Sequence, residues 1–185
     1  MAGLPICTIY SGQPIDLTAV NAFNFIASAN ANPGTPVAAV ALPNNLGAVT
    51  KTGSGVVYFA DLHQVPDPSI ATIATPGIRN QSTMQALADS SGRIVLQNPV
   101  PGQFGTLAPN FLTGPRIYRF DVNLLKRVRI SESKEFILRC DAQNVTNTPE
   151  FANPNTDINT PTFGRITDTV VGSNRIVVVG ARFNF

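Results

Sequence analysis

The chain has 185 residues, 13% of them charged, with a formal net charge of +2, two cysteines and one histidine. That charged fraction is about half the ~25% of an ordinary soluble domain, and Asn, Thr, Ser, Gly and Pro fill the gap, which argues against a helical bundle and for strands joined by turn-rich loops. So small a charge, without any Lys/Arg run, gives no basis for a nucleic-acid partner, and a single histidine, His63, excludes a multi-histidine metal centre within the chain.

The first residues, Met1-Ala2-Gly3-Leu4, lead directly into an apolar strand at about 4–10. They lack the basic start and apolar core of a secretory signal, so the expectation is either a cytoplasmic chain or a piece of a longer protein whose targeting sequence lies elsewhere. No run of about 18 apolar residues could cross a bilayer as a helix. A second strand is expected near 15–21. The stretch 11–116 is punctuated by NPGTP, LPNN, VPDPS, TPG, NPVPG and LTGP. It is aperiodic and reads as an extended surface excursion with only short strands inside it. A loop this long is credible in a compact domain only if it is functional. No repeat or internal boundary divides the chain, which reads as one segment, 1–185.

Within the excursion, GSG at 53–55 lacks the GK[ST] of a phosphate loop and reads as a turn. His63 with Asp61 and Asp67 could be imagined as a base or a ligand cluster. Without a positioned third partner, a solvated loop histidine is the better reading, and no catalytic or cofactor site is assigned.

The segment IYRFDVNLLKRVRI, residues 117–130, has the clearest pattern. Tyr118, Phe120, Val122, Leu124, Lys126, Val128 and Ile130 share one face; Ile117, Arg119, Asp121, Asn123, Leu125, Arg127 and Arg129 share the other. A period of two over a dozen residues predicts a strand much longer than the usual ~5–6. Four polar residues, 131–134, separate it from a second strand, EFILRCDAQNV at 135–145, in which Phe136, Leu138, Cys140 and Ala142 alternate with Glu135, Ile137, Arg139, Asp141 and Gln143. The pair predicts a hairpin, and one register with both apolar sets on one face sets Arg129 opposite Glu135. Residues 148–174 read as a loop with a short strand near 163–171. The last strand, RIVVVGARFNF at 175–185, places Val177, Val179, Ala181, Phe183 and Phe185 on one face. Cys7 and Cys140 leave a disulfide open, with two ordinary thiols favoured.

Long amphipathic strands suit either a soluble sandwich or an outer-membrane barrel, whose strands cross in about 9–11 residues between aromatic girdles. Three features favour the barrel: strand length, the density of polar residues on one face, and aromatics near the ends of the other. Lys126 interrupts the apolar face close enough to the turn to reach the headgroups.

The end of the chain resembles the C-terminus of a TonB-dependent outer-membrane receptor of the Oar-like group, which carries a carboxypeptidase-regulatory-like domain at its other end. The segment GTLAPNFLTGPRIYRFDVNLLKRVRISESKEFILRCDAQNVTNTPEFANPN is similar to that group's penultimate region. There a glycine–proline step enters an Asp-containing strand, and a second strand ends in an Asn-hydrophobic-x-Asn motif, here Asn144-Val145-Thr146-Asn147. Thr146 stands where the family has an aromatic. FGRIT at 163–167 and IYSGQPIDLT near the start fit as well, with Ile15 replacing another aromatic.

The resemblance implies an all-β fold: the C-terminal strands of a transmembrane antiparallel β-barrel, about four long strands, with a long extracellular loop region. It implies that Val177, Val179, Ala181, Phe183 and Phe185 form the signature read by the barrel-assembly machinery, and that Arg119, Asp121, Asn123, Arg127, Arg139, Asp141 and Arg182 face the lumen. There Arg119, Arg127, Arg139 and Arg182 could touch an anionic solute, although ion pairs with Asp121, Asp141 and Glu135 are the better reading. The turn at 131–134 would be periplasmic, with 11–116 and 148–174 extracellular. Four strands close no membrane barrel, whose minimum is about eight. The expectation is therefore a receptor fragment, not an enzyme and not transport-competent alone. Its partners would be outer-membrane lipid, the plug and remaining strands, through them the TonB complex, and a large solute. The alternative is a soluble secreted all-β binding or adhesion protein.

Overall fold

The computed structural model describes residues 2–20, 35–41, 46–100 and 104–185; the LPNN turn and parts of the NPGTP and NPVPG turns lie outside them. Four long strands form one antiparallel sheet: β1 (Ala2–Tyr10), β2 (Ile117–Arg129), β3 (Glu135–Gln143) and β4 (Ile176–Asn184), in that spatial order. The expected register holds, with Arg129 opposite Glu135. A four-residue turn closes the hairpin, where the Ile130 amide donates to the Lys134 carbonyl at 2.9 Å. Among the described residues neither β1 nor β4 has a partner on its second edge, so the sheet is not closed.

The chain divides into two compact units. The first holds the long sheet with residues 116–152 and 168–185. Just beyond β3 the chain turns at Asn144 and Asn147, both with positive φ, 48° and 52°, a conformation that Asn tolerates better than most residues. The loop then returns as a narrow ribbon. The Ala152 amide donates to the Asp168 carbonyl, and the Val170 amide to the Glu150 carbonyl.

The second unit comprises 13–115 and 153–167. The excursion does hold only short strands, yet it folds around its own core. Residues 63–66, 85–88, 94–97 and 38–39 make a small four-stranded sheet. Leu17, Val37, Phe59, Ala86, Leu87, Val95, Leu96 and Ile158 are all nearly inaccessible. Ile158 comes from the loop between β3 and β4, so two stretches far apart in sequence build this core together. The Gly114-Pro115 step also has a structural reason. The Gly114 amide donates to the Gln13 carbonyl at 2.7 Å, and a Cβ at Gly114 would sit 2.6 Å from Asn153 Oδ1.

A buried polar network fastens the same unit. The Asp67 carboxylate accepts from the Ser69 amide (2.7 Å), the Asn98 amide (2.7 Å) and the Asn98 side chain (2.6 Å). Asn159 donates to Asn98 Oδ1 and accepts from the Gln85 amide, both at 2.8 Å. Asp67→Ala would leave the Ser69 and Asn98 backbone amides without an acceptor, while the Asn98 side chain keeps the Gln85 carbonyl at 2.9 Å; at ~1–3 kcal/mol for each unmet group the unit should lose at least about 2 kcal/mol. Urea-dependent proteolysis within 13–115 measures this. GSG at 53–55 is a hairpin turn, as expected.

Candidate functional site

The two faces of the long sheet differ in chemistry, and strand alternation creates the difference. On the apolar face the residues form rows across the strands. Tyr118 lies opposite Ile9. Leu124 lies opposite Cys140, itself opposite Val179. Val128, Phe136 and Phe183 share a row at the turn end. Phe185 stacks on Phe183 with ring centroids 6.1 Å apart. Most of this face is uncovered: Val179 is 66% exposed and Phe185 93%.

Its height can be set against a membrane. Tyr118 and Val128 are ten positions apart on β2. At ~3.4 Å per residue and a tilt of ~40° this spans about 26 Å along a barrel axis, against an apolar band about 25 Å tall in outer-membrane barrels. Aromatics mark both ends of the span. Lys126 lies in the row of Leu138 and Ala181, one row inside the Phe136–Phe183 end, within reach of headgroups.

The family model for an outer membrane beta barrel domain matches residues 4–177. The chain belongs to that family. Neither a curated protein nor a solved structure matches it. As an outer membrane barrel domain, the protein locates to the bacterial outer membrane, and in barrels of this kind the apolar face is the one expected towards lipid. Outer-membrane barrels have short periplasmic turns and longer extracellular loops. By that rule the 131–134 turn is expected at the periplasmic end, and the residues between β1 and β2 at the extracellular end. A soluble sandwich would bury the apolar face against a second sheet, at odds with the exposure of Val177 and Val179.

The opposite face carries the polar residues expected to line the lumen. Arg139 pairs with Asp141 at 2.6 Å, and Asn123 donates to the same carboxylate. Arg127 contacts Glu135 diagonally at 3.9 Å, so the carboxylate directly opposite Arg129 leans towards its neighbour. Arg182 donates to Asn184 Oδ1 at 2.9 Å.

At the outer rim the pairing departs from expectation. Arg119 pairs with Glu150 of the returning loop, at 2.8 Å, and donates to the Gly172 carbonyl at 3.0 Å. Asp121 instead accepts the Asn144 amide at 2.8 Å. The loop brings in a nearer carboxylate, 5% exposed, which outcompetes a neighbour on the same strand. Asn144 is the centre of this rim: its side-chain amide donates to the Thr148 and Ser173 carbonyls at 2.9 and 2.6 Å, and its Oδ1 accepts from the Thr148 amide at 3.1 Å. The motif Asn144-Val145-Thr146-Asn147 marked this position in the sequence. Glu150 and Ser173 carried no local signal, because both lie in loops by composition.

His63 is exposed at the start of strand His63–Pro66, whereas Asp67 is buried and holds amides. No group of three metal-ligating side chains occurs among the described residues. In the 89–93 turn the Ser91 hydroxyl, together with nearby amides and the Arg93 guanidinium, holds the Asp89 carboxyl below its usual range.

Cys7 and Cys140 are both free and both lie on the lipid-facing side. Their rows put them two strands and four positions apart, roughly 16 Å by ordinary strand spacings and far beyond disulfide reach. Both thiols should therefore react with a membrane-permeant maleimide and resist a charged, water-soluble one. Equal reaction with both reagents would refute the face assignment. The carbon-face row Val177, Val179, Ala181, Phe183, Phe185 predicts a second result: removing Phe185 should reduce the heat-modifiable, folded form in outer-membrane fractions to a small part of the wild-type level.

Proposed function

We propose that the chain supplies the last strands and two outer loops of a TonB-dependent receptor of the Oar-like group, which takes up a large solute. The observation that carries this reading is the unclosed four-stranded sheet, with one face for lipid and one for water. An open sheet in lipid strands its edge amides and carbonyls at several kcal/mol each, and about eight strands is the smallest closed barrel. Further strands must therefore pair with β1 and β4. The resemblance of the GPRIYRFDVNLL and NVTN segments to the receptor group supports a single long polypeptide, with a plug and a TonB-contacting segment, as their source.

On this reading the unit 13–115 with 153–167 is the ligand-capturing part, the barrel-assembly machinery recognises β4, and the protein catalyses no reaction. Uptake should fail in a strain lacking TonB and in the presence of an uncoupler. An antibody to 117–185 should detect an outer-membrane polypeptide far larger than 19.6 kDa. Uptake that survives loss of TonB would overturn the receptor assignment.

A further inference from the structure

The water-facing side of the long sheet does not carry its charge evenly. In the outer half each formal charge has a partner: Arg119 has Glu150, Asp121 has the Asn144 amide, and Asp141 has both Arg139 and Asn123. Towards the turn the balance changes. Arg127 and Arg182 occupy one row, separated only by Ile137. At a strand spacing of ~4.8 Å their backbones are about 10 Å apart. Arg139 lies one row above them, opposite Gly180, and Arg129 one row below. Four guanidinium groups thus share this end of one face with Glu135 and Asp141. Arg127 takes Glu135 and Arg139 takes Asp141, while no carboxylate lies in ion-pair reach of Arg129 or Arg182 among the described residues. Even the paired groups stay open to water, with the Arg127 and Arg139 side chains 66% and 60% exposed.

We propose that this arginine patch binds an oxyanion of about two negative charges, a phosphate or a dicarboxylate, carried by the solute at the turn end of the lumen. The surplus of two cations sets the charge of the occupant. The planar guanidinium fork sets its chemistry, because it presents paired N–H donors that match two oxygens of one phosphate or carboxylate group. Lipid headgroups cannot supply the anion, since the patch lies on the face opposite the lipid-facing rows. The inference rests on the polar face lining water, and does not depend on TonB.

Gly180 permits a direct test. Its position is next to Arg139 and Arg182 on the same face, and an added Cβ there meets nothing within 4 Å. Gly180→Cys, with Cys7→Ala and Cys140→Ala, places one thiol inside the patch of the full-length protein without removing an arginine. In outer-membrane fragments, open on both sides, the thiol is labelled with an anionic and with a cationic methanethiosulfonate, with and without inorganic pyrophosphate. The anionic reagent should react faster, and millimolar pyrophosphate should slow it. Adding Arg129→Gln and Arg182→Gln should lower the anionic-to-cationic rate ratio about tenfold and weaken protection by a similar factor. Arg129→Lys with Arg182→Lys should keep the rate ratio and lose much of the protection, which separates the fork from the charge. Equal rates without protection would overturn the anion site and leave the receptor reading intact. A thiol that neither reagent reaches would overturn the site, because the patch is then covered and not open to a solute. Heat-modifiable mobility of each variant shows that the barrel has folded.

Discussion

Leu124→Arg is expected to cost the membrane-inserted protein about 2–4 kcal/mol, the penalty for a guanidinium on the lipid face near the bilayer midplane. Leu124 lies six positions from Tyr118 and four from Val128 on β2, well inside the aromatic ends of the face. It is flanked across the strands by Gly3 and Cys140, so it has no cross-strand acid to pair with. An arginine there must either enter hydrocarbon or bend a long way to a headgroup. The adjacent Asn123 lies on the water-facing side, and Asn123→Arg should cost much less. The comparison uses neighbouring positions with the same introduced side chain, so strand propensity and charge cancel. Reversible urea unfolding in phospholipid vesicles measures both. Similar costs at 123 and 124 would show that the two faces do not see different solvents.

Asn144→Ala should loosen the loop 148–174 without melting the strands. Asn144 is 1% exposed and holds three side-chain hydrogen bonds to Thr148 and Ser173. Its removal leaves two carbonyls and one amide without partners, at ~1–3 kcal/mol each. It also puts alanine at φ 48°, which costs roughly another 1 kcal/mol. A net loss of about 3–5 kcal/mol, local to the rim, follows from those terms. Asn144→Gly separates the two causes, since glycine accepts the backbone angle but restores none of the bonds. Hydrogen exchange should show the Thr148, Ala152 and Val170 amides losing protection in both variants, and slightly less in the glycine one. Protection that survives in Asn144→Ala would mean that the Arg119–Glu150 pair alone holds the rim.

The long sheet was legible from sequence because its cause is local. Each strand records its environment every second residue, over enough positions for the pattern to stand out. The hairpin register followed from keeping Phe136, Leu138 and Val128 on one side, and the short polar run 131–134 left little choice of turn. The rim was legible only in part. Asn144 showed itself through its motif, but the partner of Arg119 did not, because Glu150 reaches it through a loop whose path no pattern reveals.

The unit of 13–115 with 153–167 was the least legible. Its strands are two to four residues long, too short for a period to emerge, and its core residues Val37, Leu87 and Ile158 come together only when distant loops meet. Asp67, Asn98 and Asn159 read as loop residues by composition, yet they form its buried network. Polar side chains can be buried where partners satisfy them, and those partners are set by tertiary contact.

What the sequence determined by itself is therefore the set of long strands, their two faces and their antiparallel hairpin, since alternation against lipid and water needs only nearest neighbours. Which charges pair at the rim, how 153–167 completes a core begun at 13–115, and where two arginines are left without a carboxylate were decided by the tertiary structure, because each depends on a partner more than a strand away.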